Sequence, residues 1–159
     1  MLCDPAIEPL KREIRLAPER VDFGDRNGLR MLRPQQFAAN EAWIAFRLND
    51  TPVRKERDGD FNCIALPDAA SCFILRLEFI PVTAAEPTRA QFRRLLKNAQ
   101  RYKEQLPDKL FIAREDIADL MTREATHKKI DVVRVAESEL LIFIGEARQG
   151  FAERFEEDR

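Results

Sequence analysis

Apolar and polar positions change period several times along this chain, and each change marks an element. Over residues 42–48, Ile44, Phe46 and Leu48 recur at every second position, which predicts a strand. Asn49 to Pro52 reads as a turn, residues 53–57 as a charged strand or arm, and residues 58–60 as a second turn. Residues 61–66 predict another strand, followed by a Pro67-Asp68 loop. The two-residue period is clearest over 72–80, where Phe73, Leu75, Leu77 and Phe79 alternate with Cys72, Ile74, Arg76, Glu78 and Ile80. Strands joined by such short turns predict an antiparallel meander.

The period then lengthens to that of a helix. Over 88–106, Phe92, Leu95, Leu96, Ala99, Tyr102 and Leu106 fall within an arc of about 120°. Thr88 and Gln91 are spaced as a capping box, and Pro107 is expected to stop the helix. A short extended piece at 110–113 precedes a second helix at 114–125, with Glu115 and Asp116 in its first turn and Ile117, Leu120 and Met121 as its apolar stripe. Residues 130–135 and 139–144 predict a hairpin around 136–138, its second strand apolar on both faces and therefore interior. A short helix at 146–155 would bury Ala147, Phe151 and Phe155, and the acidic tail 153–159 is expected to fray. The region 1–41 reads as irregular, with a helix at 6–16 carrying Ile7, Leu10 and Ile14, and an Asn27-Gly28 turn flanked by strand pieces at 20–23 and 29–32.

Strands come in blocks and helices in a block. That order predicts an α+β fold: an antiparallel sheet, made of the meander plus the C-terminal hairpin, with two central helices packed on one face. The length of 159 residues predicts a single domain over 1–159. A competing arrangement takes 72–80, 88–106, 110–113, 114–125 and 130–135 as βαβαβ; the shortness of 110–113 counts against it.

Composition narrows the function classes more than it names one. The 27 Lys and Arg nearly balance 28 Asp and Glu, which argues against a dedicated nucleic-acid coat or polybasic membrane binder. No apolar run approaches a membrane span, and residues 1–11 lack the apolar core of a secretion signal. Cys3, Cys63 and Cys72 are odd in number and have no metal-knuckle spacing. The expectation is a cytoplasmic protein with reduced thiols, Cys63 and Cys72 acting as small core hydrophobes.

Catalytic signatures are sparse. His127 is the only histidine and lies in a Thr-His-Lys-Lys loop; Ser71 and Ser138 are the only serines. A nucleophile–histidine pair therefore has few members to draw on. Asp22-Phe23-Gly24 stands without the other kinase motifs and reads as a turn, and the Pro67-Asp68 and Pro107-Asp108 pairs lack the acid-x-Lys partner of metal-dependent nucleases. Five glycines form no phosphate cradle, so no cofactor is expected. A carboxylate-based or metal-dependent site leaves no local signature and stays open as an alternative.

One feature has a defined shape. On the 88–106 helix, Arg89, Arg93, Arg94, Lys97 and Arg101 occupy about 140° opposite the apolar arc, and Glu104 is the only acid. Like charges at i,i+4 cost a few tenths of a kcal/mol each, so a purely structural face usually mixes signs. Acids at 115–119 or 153–158 could neutralise the stripe internally. If they do not, the stripe faces an anionic partner. The expectation is a small interaction or regulatory module without catalytic activity, contacting an acidic protein surface or a second copy through Arg89, Arg93, Arg94, Lys97 and Arg101. Nucleic acid at the same helix is the alternative, held down by the near-zero net charge.

Overall fold

A computed structural model describes residues 31–49, 51–55 and 59–157. Cys3, the expected helix at 6–16, the Asn27-Gly28 turn and strand 20–23 lie outside the described residues, as do the last two positions of the tail; Met31 and Leu32 are irregular.

The sheet has six strands: β1 (Ala42–Arg47), β2 (Val53–Lys55), β3 (Gly59–Pro67), β4 (Ile74–Pro81), β5 (Lys109–Ala113) and β6 (Asp131–Val135). Three α-helices accompany them: α1 (Arg89–Lys103), α2 (Asp119–His127) and α3 (Leu141–Glu157). β3 is the hub. It pairs antiparallel with β4 along one edge, and with β2 and then β1 along the other. β1 pairs parallel with β5, and β5 parallel with β6.

The class is α+β, but the sheet is mixed rather than antiparallel. Following the pairings from β4 through β3 and β1 shows β4, β5 and β6 running in one direction. The segment from β4 to β6 is therefore the βαβαβ arrangement, and α1 and α2 are the crossovers that return the chain to the same end. The shortness of β5 did not prevent this. β5 is central, buried from Leu110 to Ala113, so each of its residues contributes to a core.

The expected C-terminal hairpin is absent: residues 139–144 form the end of a 3-10 turn (Glu137–Leu140) and the start of α3. Leu140, Phe143 and Ile144 are buried at helical spacing, whereas Leu141 is 47% exposed. A short apolar run fits an interior strand or a buried helix equally well by periodicity. Length decides here: the run is continuous with the expected helix at 146–155, and Ala147 and Phe151 extend the same stripe onto the same core. The second helix also differs from expectation. It starts at Asp119, so Glu115 and Asp116 lie in the turn before it, and Ile117 is exposed.

Two cores flank the sheet. Trp43, Ala45, Ile64, Leu66, Leu110 and Ile112 pack against α1 and α2 on one face, as expected for the two central helices. Ile44, Phe46, Ala65, Phe111 and Ala113 pack against α3 on the other. Burial on both faces explains the unbroken apolar run of β1.

Candidate functional site

Helix α1 forms where its sequence predicts. Thr88 Oγ1 accepts the Gln91 N–H at 3.1 Å and Gln91 Oε1 accepts the Thr88 N–H at 2.9 Å, a reciprocal capping box. The helix stops three residues before Pro107, at Glu104, which adopts the left-handed conformation with φ 65°. Phe92, Leu95, Leu96 and Ala99 are buried, which turns the five cations outward.

The cations then divide into two sets. Arg89 Nε reaches Glu124 Oε1 at 3.2 Å, and Arg93 Nε reaches Glu124 Oε2 at 3.0 Å. Glu124 is a fully buried carboxylate on α2 held from above by two guanidinium groups. The hydrogen bond from Arg93 pulls its pKa below the ordinary glutamate value; burial opposes this, and the charge of Arg93 and the contact with Arg89 reinforce it. Arg94 is bound to Glu78 of β4. The neutralising acids are thus Glu124 and Glu78, neither of them in 115–119 or 153–158. Glu78 had a legible signal, being a strand residue in phase with the face that meets α1. Glu124 had none beyond its place on an apolar helix face.

Lys97 and Arg101 form the second set. Both are exposed and neither has an ion pair among the described residues. Arg101 lies two turns from Arg94 on the same side of the helix, and its neighbour Tyr102 stacks on Phe73 of the β3–β4 connection, with ring centroids 5.4 Å apart. This end of α1 therefore sits against the start of β4. Arg76 on β4 is also exposed, with no ion pair among the described residues.

β4 is an edge strand, since among the described strands it pairs only with β3. Large apolar side chains crowd it in the open: Phe73 is 51% exposed, Leu77 41%, Val82 40% and Tyr102 57%. An exposed apolar edge is a liability unless something covers it. On the α3 side of β4 a cleft of about 700 Å³ is lined by Leu48, Cys72, Ile74, Leu77, Ala147 and Phe151, with Arg76, Glu146 and Arg154 around it.

The remaining chemistry of the molecule is quieter. The Cys63 thiol is pushed up to about 12 by burial, with Glu78 adding to the shift. Burial, Glu146 and Asp68 likewise raise Cys72. Neither thiol has the electropositive setting of a nucleophile. His127 is exposed at the end of α2. Asp68 is buried and spent on the Asn40 N–H and on the Ser71 N–H and hydroxyl. Beyond the carboxyl ends of β1 and β5, where open parallel sheets often bind ligands, Arg134 instead clamps the loop after β5 by donating to Ala113 O and Asp116 O. Burial and Glu137 raise the Asp116 pKa there, against Arg148, Arg47 and Arg134. Among the described residues no three His, Cys, Asp or Glu side chains are grouped to hold a metal ion, and no helix is long and apolar enough to cross a membrane.

No protein-family model and no curated protein matches the sequence. Among solved structures, the chain is similar to one in the simian T-cell lymphotropic virus intasome in complex with PP2A regulatory subunit B56 gamma. The identity is 11% and the TM-score 0.47, over 65% of this chain and 34% of that one. A likeness of that size assigns no activity.

Proposed function

We propose that this domain is a cytoplasmic interaction or regulatory module without catalytic activity, and that it engages an acidic protein partner through the outer side of α1. The supporting observation is the division of the basic stripe. Arg89, Arg93 and Arg94 are committed to Glu124 and Glu78, while Lys97 and Arg101 stand exposed and unpaired among the described residues, Arg101 adjoining the half-exposed Tyr102–Phe73 stack. Cations beside exposed aromatics make an amphipathic contact surface, with the rings supplying contact area and the charges supplying steering. The free thiols of Cys63 and Cys72 agree with a reducing compartment.

The contact surface is accordingly narrower than the five-residue stripe and displaced towards the C-terminal end of α1. A nucleic-acid reading loses support from the same division, because three of the five cations already carry a carboxylate. The test is retention of the protein on immobilised polyglutamate, compared with mixed DNA and RNA, at about 0.05 M and about 0.3 M salt. The expected outcome is retention on polyglutamate at low salt and release at high salt. The double variant Lys97→Glu with Arg101→Glu should weaken binding by on the order of tenfold. Retention that ignores the double variant refutes the reading, and a preference for DNA or RNA replaces it with the nucleic-acid one.

A further inference from the structure

We infer that this protein self-associates through the open edge of β6, two copies pairing antiparallel about a two-fold axis beside Val133. The inference stands apart from the α1 reading, because α1 lies on the far side of α2 from this edge, bound through Glu124 and Glu78.

The ladder with β5 decides which backbone groups of β6 are on offer. Asp131 N–H donates to Asp108 O, and Val135 O accepts the Arg114 N–H, so Asp131 and Val135 face β5. The register runs unbroken from Lys109–Asp131 to Ala113–Val135, so Val133 faces β5 as well. Val132 and Arg134 therefore turn their N–H and C=O groups outward, where no described strand takes them. The open stretch has defined ends. Ile130 N–H is taken by Ala125 O, and Ala136 N–H by the Glu139 carboxylate at 3.3 Å. Between them the strand Asp131–Val135 has no proline, glycine or bulge to guard it.

A strand with two outward residues and one inward residue between them is complementary to its own copy. Antiparallel pairing centred on Val133 sets Val132 opposite Arg134 of the other copy and Arg134 opposite Val132, and each pair exchanges both of its hydrogen bonds. A two-fold axis normal to the sheet sets one residue against its own counterpart. Placing that residue at Val133 uses the outward groups of Val132 and Arg134 completely. The side chains agree. Val132, Val133 and Val135 are each only partly buried, and the added strand covers them. Arg134 keeps its guanidinium on its own β5–α2 loop, at Ala113 O and Asp116 O, so the pairing does not drive two cations together. Continued past the strand ends, the same register brings Lys129 of each copy to Glu137 of the other. Lys129 is exposed, and neither Lys129 nor Glu137 has an ion pair among the described residues. On α2, Glu124 faces α1 while Met121 and Ala125 face the sheet, which leaves Thr122 and Thr126 on the side beside the β6 edge. Their short side chains leave room for a second copy. An unrelated extended segment would find the same N–H and C=O groups but not the reciprocal charges at the two ends, which favours self-pairing.

The test is sedimentation velocity on the full chain from about 1 to about 100 μM, with circular dichroism to confirm that each variant is folded. The wild type should pass from monomer to dimer within that range. Val132→Pro deletes an outward N–H and none of the ladder bonds to β5, and should raise the dimer dissociation constant by on the order of tenfold or more. Lys129→Glu and Glu137→Lys should each weaken self-association by setting like charges opposite one another. An equimolar mixture of these two variants should recover it, because both facing pairs are then of opposite sign. A wild type that stays monomeric throughout overturns the inference. A dimer that ignores Val132→Pro and shows no recovery on mixing overturns it too, since the contact then lies elsewhere. A dimer that Val132→Pro dissociates, without recovery on mixing, overturns the antiparallel register. If Val132→Pro fails to fold, the mixing experiment decides alone: recovery supports the inference and its absence overturns it.

Discussion

Glu124 is the residue on which the tertiary role of α1 turns. A buried carboxylate left alone would be protonated or would destabilise the fold, but this one accepts charge-assisted bonds from Arg89 and Arg93, whose own heads stay in water. Its cations carry their hydration with them, so the pair avoids much of the desolvation that makes buried ion pairs costly. Glu124→Gln preserves the shape and removes the charge, and we expect it to lower stability by roughly 1–3 kcal/mol at neutral pH. Because the folded pKa lies below the ordinary glutamate value, this stabilisation is complete above that value and disappears as pH falls through the depressed one. Thermal melts across that range should show the gap between the wild type and Glu124→Gln closing on acidification. A gap that persists to strongly acidic pH would mean that the carboxylate acts through packing alone.

At the level of elements, legibility followed the strength of the local signal. α1 was readable to within a few residues because its capping box, apolar arc and following proline all agree. β1, β4 and β6 also fell where alternation put them. The failure was at 139–144, where Leu140 to Ile144 carries no alternation to separate a helix from an interior strand. Gly145 lies inside α3 and is exposed, and a Cβ added there meets nothing within 4 Å. Its cost to the helix is therefore uncompensated by any close approach. Gly145→Ala should stabilise the protein by about 0.5–1 kcal/mol, read as a raised melting temperature with unchanged or increased helical signal. A destabilised variant would contradict the placement of residue 145 in a helix interior.

Across the whole molecule, what the sequence could not show was adjacency. That β5 lies beside β1 depends on pairings between residues more than sixty positions apart, and that the α1 stripe lies between α2 and β4 depends on contacts 16 to 35 positions apart. The five cations were visible as a stripe; their division into Arg89, Arg93 and Arg94 on one hand and Lys97 and Arg101 on the other required Glu124 and Glu78 to be placed. The same adjacency sets a gradient of stability that hydrogen exchange can read. β1 and β5 lie in the middle of the sheet with both faces covered, and their ladder amides can open only when the cores on both faces are disrupted. They should exchange slowest. β4, with one neighbour, should show an alternation instead. Glu78 and Ile80, whose N–H groups are bonded to β3, should be protected, while Leu77, just before them, exchanges quickly. Uniform protection across 77–80 in the free protein would mean that the edge is already covered, and any partner would then have to displace what covers it. Fast exchange at Leu77 that slows on adding an acidic partner would instead locate the contact at the strand edge, separately from any effect of the charges on α1.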